Sequence, residues 1–155
     1  MIDYRMDAEA ADSALLILAM ADGPVPDDLM ALVAGGETAR GYAALITIAA
    51  TRIAHSMNLE HTQVLPIIGQ AAAGSTMTAP ELSRTARGLD LIEAVWADDR
   101  DTIDAAMTVD RHTDSLQALA SLCGFLFDLE AASTGASHGE VLQSYRNMAI
   151  RVLNG

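Results

Sequence analysis

Gly135, Ala136, Ser137, His138 and Gly139 spell Gly-x-Ser-x-Gly. In that pattern a strand drives a serine into a strained turn and exposes its hydroxyl as a nucleophile for acyl transfer. The chemistry also needs an acid and a histidine later in the chain to take up the serine proton. Only the tail from Glu140 to Gly155 follows, and it holds neither Asp nor His. The residues ahead of Gly135 repeat with helical rather than strand spacing. Ser137 is therefore read as a helix cap, since Glu140 three residues on completes a capping box.

Asp98, Asp99, Asp101 and Asp104 form the densest carboxylate group. As a calcium loop starting at Asp99, the segment would have Ile103 at the fifth position and Asp104 where glycine is needed. Asp110 would stand where a bidentate glutamate belongs. The spacing predicts instead an acidic turn whose carboxylates lie near the N-terminus of a short helix. His55, His61, His112 and His138 include no pair at a helical metal-binding interval, so no metal site is expected. With no lysine for a Schiff base and no phosphate loop, neither of those chemistries has support. Arg84, Arg87, Arg100 and Arg111 are interleaved with acids and read as a solvated, salt-bridged face.

Residues 52 to 69, "RIAHSMNLEHTQVLPIIG", place Ala54, Asn58, Val64 and Ile67 at intervals that let two helices cross closely. Ala131, Gly135 and Val141 repeat part of this spacing. The stretch resembles the bacterial helix-turn-helix motif, and the resemblance implies a groove-reading second helix. DNA binding also draws on positive charge for phosphate contacts. This chain has a formal net charge of -12, with nine arginines as its only lysine or arginine residues. The would-be reading helix offers Glu60, His61, Thr62 and Gln63 and then Pro66. A structural helix pair is expected, and nucleic acid is disfavoured as a partner.

All these residues must be positioned by helices, because apolar residues recur at helical spacing almost throughout and no stretch alternates like a strand. Of the 155 residues, 51 % are apolar and only 4 % aromatic, so Ala, Leu, Ile, Val and eight methionines must build the core. The order predicted is helices over about 7–21 and 27–33, a mostly buried one over 38–57, and one over 59–73. In the fourth, Asn58 is the cap and Pro66 a kink. Helices over 78–97, 102–109, 114–132 and 137–153 follow, with capping boxes at Thr78/Glu81 and Ser137/Glu140. The third helix presents Tyr42, Leu45, Ile46, Ala49, Ile53 and Met57 on one stripe. The seventh carries Leu116, Leu119, Leu122, Cys123, Leu126 and Leu129.

The expected fold is all-α: a single helical domain, 1–155, of about eight helices. Sub-repeats 7–74 and 78–153 are candidates for two pseudo-repeats of about 75 residues. Arginine without lysine, with abundant Ala, Gly and Asp, points to GC-rich coding, as in a high-GC bacterium or its phages. One cysteine allows no internal disulfide, and a reducing, cytoplasmic setting with no membrane span is expected. The leading expectation is a non-enzymatic, acidic interaction or regulatory protein without a cofactor, binding a protein partner or a second copy of itself. Trp96, Asp98, Asp99, Asp101, His61 and Gln63 are the expected contact residues, helped by Met20, Met30, Met57, Met77 and Met107. Two other readings are a nucleic-acid-associated regulator, by weak groove binding or acidic mimicry, and a small-molecule binder or enzyme with a site between the halves.

Overall fold

Six α-helices, one 3-10 turn and no strand make up the described residues of the computed structural model, which are 38–154 apart from Val109. The helices expected over 7–21 and 27–33 lie outside these residues, as do Met20 and Met30. The elements are α1 (Thr38–Ser56), a 3-10 turn (His61–Gln63), α2 (Val64–Ala73), α3 (Ala79–Trp96), α4 (Arg100–Ala106), α5 (His112–Thr134) and α6 (His138–Asn154).

Local chemistry sets most of the helix ends. Thr78 caps α3: its hydroxyl accepts from the Glu81 N–H, and the Glu81 carboxylate accepts in return from the Thr78 N–H. Ser137 and Glu140 do the same for α6, at 3.1 and 3.2 Å. Gly135 closes α5 in a left-handed conformation, φ 75°, with its N–H on the Ala131 carbonyl, the conformation in which glycine most often ends a helix. Ser137 is thus a cap, as its spacing predicts.

Asn58 differs from expectation. It does not cap the following helix; it closes α1, at φ 58°. The Leu59 N–H donates to the Ala54 carbonyl at 2.8 Å and the Asn58 N–H to the His55 carbonyl at 3.2 Å. Together these bonds form a Schellman closure. Pro66 also differs, because the helix expected over 59–73 is split and not kinked. A continuous helix would drive the proline ring into the carbonyl four residues back, so the chain takes a tighter 3-10 turn at His61–Gln63 first. Pro66 then falls in the opening turn of α2, where a missing N–H removes no internal hydrogen bond.

Buried side chains from all six helices form one contiguous cluster. Its centre is α5, which packs on α3, α1 and α6 and is buried continuously from Ser115 to Ala120. Leu122, Cys123, Leu126 and Phe127 are completely enclosed. By length and apolarity α5 could cross a membrane, but most of it is buried inside this helical core. The α1 stripe is buried at Tyr42, Leu45, Ile46 and Ala49, half-buried at Ile53 and exposed at Met57. Met57 is exposed because it lies beyond the last turn of α1, beside the Asn58 closure. Gly88 allows α3 to cross α5: a Cβ there would stand 2.5 Å from the Ala118 carbonyl oxygen and 2.9 Å from the Leu122 Cβ.

Candidate functional site

The corner between α3 and α4 combines an anchored aromatic ring with clustered carboxylates. Asp98 takes a left-handed conformation, φ 53°. That conformation costs a non-glycine residue roughly 1–2 kcal/mol, and Asp and Asn tolerate it best. The Asp99 N–H donates to the Ala94 carbonyl at 2.9 Å and the Asp98 N–H to the Val95 carbonyl at 3.2 Å. The pair of bonds closes α3. Asp99 then caps α4, accepting from the Thr102 hydroxyl at 2.7 Å and the Thr102 N–H at 3.3 Å. Those two bonds, the hydroxyl's above all, hold the Asp99 carboxyl below its usual pKa.

Trp96 ends α3 half-buried. Its indole N–H donates to the Thr47 hydroxyl at 2.9 Å, and Thr47 in turn donates to the Ala43 carbonyl, so the ring is fixed to α1. Beside it Val95 is 39 % exposed, and Asp98, Asp99 and Asp101 all face solvent. Arg100 pairs with Asp98 at 3.0 Å, but both side chains are more than three-quarters exposed. Such a pair contributes little.

The other expected contact residues fall elsewhere. His61 opens the 3-10 turn, its side chain lying outside the described residues. Exposed Gln63 turns its carboxamide oxygen back to the Glu60 N–H at 2.9 Å. This turn packs chiefly on α1 and α2. Met77 and Met107 lie against the core, with the Met77 sulfur 3.7 Å from the Thr85 hydroxyl. The second helix of the groove-reading motif, α2, exposes Pro66, Gln70, Ala71 and Ala73, none of which carries a charge. Val64 and Ile68 on its other face are buried, so the segment's apolar spacing is used for packing.

Two polar arrangements are not apparent from local sequence. Arg52 of α1 reaches Glu130 of α5 at 2.9 Å and lies over the Tyr145 ring of α6, 4.9 Å from its centroid. Tyr145 stacks on Phe127 with centroids 4.4 Å apart. Its hydroxyl is buried beside Glu130 and Arg52, and that of Tyr42 is buried without a hydrogen bond in the protein. Burial first, and then the Cys123 thiol beside Tyr42 and the Glu130 carboxylate beside Tyr145, raise both phenol pKa values. Burial also pushes the Cys123 thiol pKa far up, so it is not a nucleophile in the folded chain.

The second arrangement is a cleft of about 250 Å³ on one side of the Gly88 crossing, lined by Ser83, Arg84 and Arg87 of α3 and Asp114 and Gln117 of α5. The salt bridges expected of Arg84 and Arg87 do not form: neither guanidinium reaches an acid among the described residues, unlike Arg52 with Glu130 and Arg100 with Asp98. No group of three or more His, Cys, Asp or Glu side chains among the described residues is placed to hold a metal ion. Searches of protein-family models, curated proteins and solved structures gave no match to this chain.

Proposed function

We propose that the protein is a non-enzymatic interaction module of the cell interior, and that it engages a basic protein partner at the α3–α4 corner. The observation that carries this reading is the fixed Trp96 beside exposed Val95, rimmed by the carboxylates of Asp98, Asp99 and Asp101. Interfaces draw most of their energy from a few aromatic anchors with a polar rim, and an indole already immobilised loses little entropy on docking. The carboxylates choose the partner's charge and speed its approach. A second copy of this chain would bring the same acids to the same place, so a separate, positively charged protein is the better occupant.

The doubled architecture belongs to the same proposal. The corners at Asn58 and Gly135 each hold a left-handed residue and are followed by the buried valines Val64 and Val141.

The test is affinity capture from the native host, comparing the native chain with the triple variant Val95→Ser/Asp98→Asn/Asp101→Asn. The variant keeps the Asp99 cap, and asparagine suits the left-handed position at 98. The expected result is a basic protein held by the native chain, released as salt rises, and held at least ten-fold more weakly by the variant. Equal capture by the two forms, or a captured protein that cross-links away from Trp96, overturns the reading.

A further inference from the structure

We propose that the cleft between α3 and α5 binds a small dicarboxylic amino acid, with Arg84 and Arg87 receiving its carboxylates and Asp114 its ammonium group. The cleft holds unneutralised charges of both signs. Arg84 and Arg87 lie one turn apart on α3, Asp114 lies on α5, and neither guanidinium is bridged to it or to another acid among the described residues. These side chains are carried by two helices fixed against each other where Gly88 meets Ala118 and Leu122.

The charge pattern selects the ligand. A simple anion would meet the guanidiniums but face Asp114, and a simple cation would meet Asp114 but face two guanidiniums. A molecule with two carboxylates and one ammonium group matches two cations and one anion, and guanidinium groups hold carboxylates with two parallel hydrogen bonds. Ser83 and Gln117, the latter only 3 % exposed, complete the polar lining. At about 250 Å³ the space is below the usual range of roughly 300–1,000 Å³ for drug-sized ligands, which suits an amino acid.

Calorimetric titration of the full chain with L-glutamate, glutarate and inorganic phosphate tests this. Saturable L-glutamate binding is expected, with glutarate, which lacks the ammonium group, and phosphate each at least ten-fold weaker. Arg84→Ala or Arg87→Ala should weaken L-glutamate at least ten-fold, and Asp114→Asn should erase its advantage over glutarate. These side chains are half-buried or exposed, so circular dichroism can confirm that the variants fold. No saturation by L-glutamate, equal binding of glutarate or phosphate, or unchanged binding in both arginine variants overturns the proposal. None of these outcomes bears on the Trp96 corner, which the variants leave intact.

Discussion

Asp99 ends one helix and begins the next, and its carboxylate carries the second task. Because hydrogen bonds from Thr102 favour its charged form, its pKa in the folded chain lies below the ordinary value of 3.8. A depressed carboxyl pKa contributes stability that is fully present above the unfolded value and is lost as pH falls through the folded one. The α4 cap should therefore hold in mildly acidic buffer and disappear only in acid stronger than about pH 3.8. Carbon NMR of the Asp99 carboxyl should give a midpoint below that ordinary value, and Thr102→Ala should move it back upward. An ordinary midpoint in the native chain would show that the short hydroxyl contact does not persist in solution. Asp98, one residue earlier, takes its left-handed conformation in the closure of α3.

Two glycines inside helices have opposite meanings. In isolation either would gain roughly 0.5–1 kcal/mol on becoming alanine, because glycine loses the most conformational freedom in a helix. Gly124 of α5 meets nothing within 4 Å of an added Cβ, so Gly124→Ala should stabilise by about that amount. At Gly88 the methyl group would stand 2.5 Å from a backbone carbonyl oxygen, which cannot swing aside as a side chain can. Gly88→Ala should destabilise by about 1–3 kcal/mol, the range for overpacked interiors. Urea unfolding of both variants decides this, and a stabilised Gly88→Ala would mean that α3 and α5 are not held at this separation. The same substitution should also weaken L-glutamate binding, since it moves the arginines relative to Asp114.

For the molecule as a whole, Cys123 reports unfolding. Its thiol is enclosed in α5 between helices, so a thiol reagent should label it only when the core opens, at a rate that rises with urea in step with loss of helix. Rapid labelling in native buffer would mean that α5 is not central. How much of this architecture can be read from the chain depends on how local its causes are. Thr78 with Glu81 and Ser137 with Glu140 are three residues apart, and both capping boxes are present as spaced. The all-helical class follows equally from a periodicity repeated along the chain. The Arg52–Glu130 pair joins positions 78 residues apart, and the cleft depends on which helix Gly88 faces, so neither has a local signature. The assignment of Arg84 and Arg87 to a salt-bridged face does not hold either: Glu81, three residues before Arg84 on the same helix, spends its carboxylate on the Thr78 cap. Pro66 misled in a different way, since a proline expected inside a helix instead fixed where α2 begins. Trp96, finally, is the chain's sole indole and is hydrogen-bonded to Thr47 at the margin of the core. All tryptophan fluorescence therefore arises at the α3–α4 corner, giving an unlabelled protein an optical reporter where a partner is proposed to dock.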